Sequence, residues 1–161
     1  MRRKKTGAFT LAELIIVVLI VAILAAAGVP ALSGSFSDIS LRSAAKRLMS
    51  ELDYARGLAI TDGSKYGLSF SATGYKVVKV VSQDLDEDFA PITNPITHAA
   101  WNVDLSRERI TLAASFAGRS IICFDSTGSP NAQGHVVLTL ADRSLKVSVA
   151  AASGRVTVAA N

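Results

Sequence analysis

Gly7-Ala8-Phe9-Thr10-Leu11-Ala12-Glu13, followed by the run Leu14 to Val29, sets the organisation of the whole chain. Arg2, Arg3, Lys4 and Lys5 stand just before it. The order is a basic block, a short polar hinge, one acid and then sixteen residues without charge. With Phe9 to Leu11 and Leu32 at its flanks, the segment reaches the about 20 apolar residues that a bilayer span needs. The basic block is expected to stay on the cytoplasmic side. Glu13 is the anomaly. A carboxylate in such a segment costs about 2.5 to 3.5 kcal/mol or more, so it asks for a functional reason.

These residues resemble the type III signal of type IV pilins and type II secretion pseudopilins. In that family a basic leader ends in Gly and the mature protein begins Phe-Thr-Leu-x-Glu or similar. The resemblance implies cleavage by a prepilin peptidase and N-methylation of the new first residue. It implies assembly with other pilins or pseudopilins on an inner-membrane platform. It also implies a single-pass anchor in the bacterial inner membrane, with a cytoplasmic N-terminus and an extracytoplasmic head. Ala8 stands where the family usually has Gly. Cleavage after Gly7 would place Glu13 one position late. Cleavage between Ala8 and Phe9 makes Phe9 residue one and Glu13 residue five, which is the family's register. The resemblance gives Glu13 an assembly role: the new amine on Phe9 of one subunit meets the Glu13 carboxylate of a neighbour, so each charge is desolvated with a partner.

Two alternatives remain open at this point. Glu13 in a lone anchor would snorkel to the headgroups. The basic block, apolar core and Ala25-Ala26-Ala27 also match an ordinary secretory signal, whose removal would start a secreted β domain at Gly28.

The 161 residues hold 17 Lys plus Arg and 13 Asp plus Glu. Losing the four leader cations leaves 13 against 13, so the net +4 belongs to the precursor. That balance removes net basicity as an argument for nucleic acid. With the single cysteine Cys123, no intramolecular disulfide can form. Its neighbours Ile121, Ile122 and Phe124 mark it as a small apolar core residue.

Gly28-Val29-Pro30 interrupts the apolar run and is expected to kink it. Ser33 to Ser40 is polar. From there Leu41, Ala45, Leu48, Leu52, Ala55 and Ala59 recur at alternating spacings of four and three, a helical stripe. Arg42, Lys46, Arg47, Glu51, Asp53 and Arg56 fall mostly off it. Asp62-Gly63 supplies a left-handed C-cap. The spacing predicts one interrupted helix over 9–61, about 80 Å long.

Beyond Gly63 the period becomes two. Seven strands are expected: Lys65–Phe70, Tyr75–Val81, Arg109–Ala113, Ser120–Phe124, His135–Leu140, Leu145–Ala150 and Arg155–Ala159. A long loop, 82–108, separates the second from the third, and Trp101 is expected to fold part of it back on the core. The fold class is α+β: a long N-terminal helix packed on an antiparallel head of about seven strands in two sheets. The expected segments are a leader 1–8, a membrane or filament-core helix 9–32, an amphipathic helix 33–61 and a β-rich head 62–161.

The tail narrows the resemblance. Ile121-Ile122-Cys123-Phe124-Asp125 with Gly128, and later Ser153-Gly154-Arg155-Val156, are similar to the GspH/FimT branch of minor pseudopilins. So is Leu52-Asp53-Tyr54-Ala55-Arg56-Gly57-Leu58-Ala59-Ile60. Some FimT-like members serve DNA uptake through a further Arg after Gly-Arg. Here Val156 and Thr157 follow Arg155, so that cation is missing. Arg143, Lys146 and Arg155 remain as candidates for a weak phosphate-contacting patch, since each contact needs only a cation. No aromatic stacking run accompanies them. DNA is therefore not the expected partner.

Catalytic chemistry is not expected. His98 and His135 have no metal-ligand spacing. Asp84-Leu85-Asp86-Glu87-Asp88 starts like a calcium loop, but Phe89 and Pro95 occupy the positions that need Gly and Glu. No cofactor or metal is implied, and the expected function is structural.

Overall fold

The structure, a computed structural model, describes residues 10–81 and 89–160, with backbone alone for 26–35. The chain falls into two compact units, Met1–Ser37 and Asp38–Asn161. A single helix, α1 (Leu11–Asp62), contributes to both. Among the described residues nine strands follow: β1 (Tyr66–Ser71), β2 (Gly74–Val80), β3 (Phe89–Pro91), β4 (Asn102–Asp104), β5 (Thr111–Phe116), β6 (Ile121–Phe124), β7 (Gly134–Leu140), β8 (Arg143–Val149) and β9 (Val156–Ala160).

In the first unit the large apolar side chains from Leu11 to Leu24 are all 49–77% exposed. A helix that is apolar on every side needs lipid or other helices around it. Among the described residues no helix is long and apolar enough to cross a membrane. The expected span, 9–32, runs past the described side chains at both ends. Pro30 lies within α1, which continues through it.

In the second unit the expected stripe is the core. Leu41, Ala45, Leu48, Leu52, Ala55 and Ala59 are all buried. Each large member withdrawn from water contributes about 1.5–3 kcal/mol. α1 ends at Asp62, and Gly63 takes the left-handed φ of 65° that lets the chain turn. Tyr66, Leu68, Phe70, Tyr75 and Val77 join the same core from β1 and β2. Val136, Leu138, Leu145 and Val147 do so from β7 and β8. A smaller cluster of Val78, Val80, Ile121 and Cys123 lies apart from it.

The strands form two antiparallel sheets. One runs β3-β2-β1-β6, with β4 also paired to β2; the other runs β5-β7-β8-β9. Seven of the strands lie where the period of two put them. The other two, β3 and β4, come from the stretch 82–108 that reads as a loop. Within it, residues 89–105 double back along β2: Val78 pairs with Pro91 and Tyr75 with Val103. Three-residue strands are too short to carry a visible alternation, so their pairing comes from the neighbouring β2 edge. Trp101 is buried as expected and packs on Tyr54, with ring centroids 5.0 Å apart.

One charged residue of the helix is buried as well. Glu51 is only 8% exposed, although its position is off the stripe. Tyr75 of β2 lies beside it on this flank of α1. Arg47 donates from Nε to Glu51 Oε1 at 3.0 Å. Burial and the adjacent Glu51 carboxylate hold the Tyr75 hydroxyl well above the ordinary tyrosine range.

Candidate functional site

The expected site has two parts, the N-terminal processing motif and the cations of the head. Gly7, Ala8 and Phe9 lie outside the described residues. Thr10 immediately precedes α1. Its hydroxyl accepts a hydrogen bond from the Glu13 N–H at 3.3 Å, and its carbonyl accepts one from the Leu14 N–H at 3.2 Å. Thr10 is thus the N-cap, and Thr10-Leu11-Ala12-Glu13 has the spacing of a capping box. The signal was present in the sequence but is overshadowed by the apolar run that follows. Glu13 stands in the first turn and is exposed. An acid there also meets the positive end of the helix dipole. The carboxylate is therefore compatible with its own helix and open to a partner.

The strand register separates the three candidate cations. Along β8, Leu145, Val147 and Val149 are buried toward the core, while Ser144, Lys146 and Ser148 point to the other face. Arg143 shares the parity of the core residues and reaches Asp38 on α1 at 3.3 Å. Asp38 also accepts from Arg42 Nε at 2.9 Å, and these contacts, chiefly that with Arg42, hold its carboxyl below the usual aspartate range. Lys146 pairs across the sheet with Ala159. Arg155 lies on the same outer face as Lys146 but four strand positions from Ala159, roughly 13 Å away. The structure therefore brings Lys146 and Arg155 to one face and Arg143 to the other.

Nothing in the sequence assigns Gly128 and Gly154 a partner. The structure joins them to the helix. Arg56 donates from Nε to the Gly128 carbonyl at 3.0 Å. A Cβ on Gly154 would meet that same carbonyl oxygen at 2.9 Å and Arg56 Nε at 3.3 Å. Both glycines have left-handed φ, 79° and 61°. Asp125 closes the loop between them and β6: its Oδ1 accepts from the Thr127 N–H at 2.9 Å, the Thr127 hydroxyl at 2.6 Å and the Ser129 N–H at 3.0 Å. Its carboxyl is held below the usual range, first by the Thr127 hydroxyl. Arg56, Gly128 and Gly154 all fall in the segments that carried the resemblance to the GspH/FimT branch.

Cys123 is buried, and burial pushes its thiol up to about 12. His98 lies in the exposed turn after Pro95, and His135 is half-buried on β7. Among the described residues no group of His, Cys, Asp and Glu side chains is placed to hold a metal ion. The acidic run Asp84 to Asp88 lies outside the described residues.

Residues 44–154 match the family model for type II transport protein GspH, and residues 3–29 match the prokaryotic N-terminal methylation motif. A curated relative, type II secretion system protein H of Aeromonas hydrophila, is 29% identical over 84 residues. That match takes in 52% of this chain and spans about half, 46%, of the relative. The structure is similar to that of the minor pseudopilin EpsH from the Vibrio cholerae type 2 secretion system, with a TM-score of 0.57 and 14% identity over 74% of this chain and 96% of the other. It is equally similar to the Pseudomonas aeruginosa type IV minor pilin FimU, with a TM-score of 0.57 and 16% identity over 77% and 94%. At such identities the likeness is one of fold.

Proposed function

Because the chain belongs to the GspH family, we propose that it is a non-enzymatic minor pseudopilin, a structural subunit of a type II secretion filament or a related pilus-like one. One observation carries this: a single chain joins the N-terminal methylation motif, 3–29, to the GspH head, 44–154. Neither half alone requires a filament. A head alone has no anchor, and a motif alone has no defined head.

The mechanism is packing. Prepilin peptidase cuts between Ala8 and Phe9 on the cytoplasmic side, and Phe9 is N-methylated. The apolar helix then sits in the inner membrane until an assembly platform draws it out. In the filament its exposed apolar faces meet those of other subunits, and burial of that surface drives association. Glu13 sets the stagger, since only a neighbour whose Phe9 amine reaches it avoids burying an unpaired charge. The head remains outside the membrane. The nucleic-acid alternative has no assembled patch to rest on, because Arg143 is engaged by Asp38 and lies away from Lys146 and Arg155.

Intact mass and N-terminal sequencing of the membrane-extracted protein test this reading. An N-methylated Phe9 start is expected. A chain beginning at Gly28 would overturn it, since Glu13 and the filament helix would be gone.

A further inference from the structure

Four strand edges bound the two sheets, and three of them are closed. β3 and β4 are three residues each and carry Pro91 and Asp104. β6 is capped by its own loop: the Asn131 N–H donates to the Cys123 carbonyl at 2.8 Å, and the Cys123 N–H donates to Asn131 Oδ1 at 2.9 Å. β5 gives its Leu112 N–H to the Ala72 carbonyl at 2.9 Å. Short strands, proline, charge and covering loops are the usual ways of stopping an edge from pairing.

β9 has none of these. It is five residues long and reads Val-Thr-Val-Ala-Ala, without charge or proline. The Ala150 N–H donates to the Arg155 carbonyl at 3.0 Å. Alternation along an antiparallel ladder then turns the N–H and C=O groups of Val156, Val158 and Ala160 away from β8. A groove of about 380 Å³ runs beside this edge, between β9 and α1. Ala45, Met49, Leu145 and Val158 line it, with Arg42 and Lys46 on its helix side. Arg42 pairs with Asp38, an acid that Arg143 shares. Lys46 has no ion-pair partner among the described residues.

We propose that the β9 edge and this groove take an extended strand from a different protein chain, apolar where it faces α1 and acidic where it passes Lys46. The backbone groups of Val158 and Ala160 supply the ladder, the groove selects alternate apolar side chains, and Lys46 selects the charge. A second copy of this chain fits less well. Pairing β9 with β9 would set two α1 helices side by side on one face, each with Lys46 toward the other's cations. The inference does not depend on the filament assignment.

The test uses the full chain in detergent micelles and a pair of short synthetic peptides of alternating valine and threonine, one carrying two glutamates and the other two lysines. The expected result is that the glutamate peptide binds about fivefold more tightly or better. It also slows hydrogen exchange at the Val158 and Ala160 amides. Lys46→Glu is expected to reverse the preference. Val158→Pro is expected to abolish binding without changing the circular dichroism, because that N–H bonds nothing within the fold. Equal binding of the two peptides, no binding, or protection elsewhere overturns the proposal. Concentration-dependent protection of the same amides without peptide assigns the edge to a second copy, and overturns the proposed occupant.

Discussion

Gly67 shows how far a single position can be dictated by a distant one. A Cβ there would overlap the Ile122 carbonyl oxygen and come within 2.8 Å of Cys123 Cα, both backbone atoms of the paired strand β6. Neither atom can swing aside. Gly67→Ala is therefore expected to destabilise the head by about 3 kcal/mol or to prevent folding; denaturant unfolding of the full chain measures it. Cys123, on the other side of that contact, gives a chemical prediction. With its thiol raised by burial to about 12, the native protein should resist iodoacetamide at pH 8 and label only once denaturant is added. Rapid labelling of the native state would contradict the burial. These two residues were unequally legible. Cys123 is flanked by Ile121, Ile122 and Phe124, so its burial is written locally. Nothing next to Gly67 announces β6, because the constraint belongs to a strand more than fifty residues later.

Elements add charge to that picture. At the end of α1, Asp62 accepts from the Tyr66 hydroxyl and from Lys79 Nζ at 3.2 Å, and its carboxyl is lowered first by Tyr66 and then by Lys79. In the loop after β6, Asp125 is lowered chiefly by Thr127. Both folded-state values lie below the unfolded one. The stabilisation is thus complete above about pH 4 and is lost as pH falls through the folded values. The unfolding midpoint is expected to hold steady above pH 5 and to decline below pH 4. Asp125→Asn keeps an acceptor oxygen but cannot titrate, so it should remove part of that decline; an unchanged profile would mean the loop contributes nothing. Arg56→Ala should cost about 1–3 kcal/mol by leaving the Gly128 carbonyl unpaired in a buried setting. The helix stripe was legible at this scale because six positions repeat one period. β3 and β4 were not, since both depend on how residues 89–105 settle against β2; nor was the burial of Glu51, which lies beside Tyr75 of β2.

For the whole molecule, Glu13 and the head should be separable. Glu13→Ala is expected to leave the unfolding of the head unchanged while removing the chain from sheared filaments recovered by sedimentation. A fall in head stability, or normal recovery with filaments, would contradict the assembly role. The two-part plan was readable because its halves differ in period: apolar on all sides first, then one apolar face, then alternation. Which cations end up together was not readable, because the expected strand began at Leu145 and left Arg143 outside it, whereas β8 includes Arg143, three positions from Lys146 and so on the opposite face.

The contact of Arg56 with Gly128 joins residues 72 apart, and Gly154 packs against the same carbonyl. Such long-range closure places the head among chains that fold over milliseconds to seconds rather than microseconds. It also fixes an order of events during synthesis. The helix can form as it emerges, but the head has no finished core until its last hairpin is made. For most of that time the chain holds a finished helix and an open, unfinished sheet, and β8 and β9 act as the clasp that closes it.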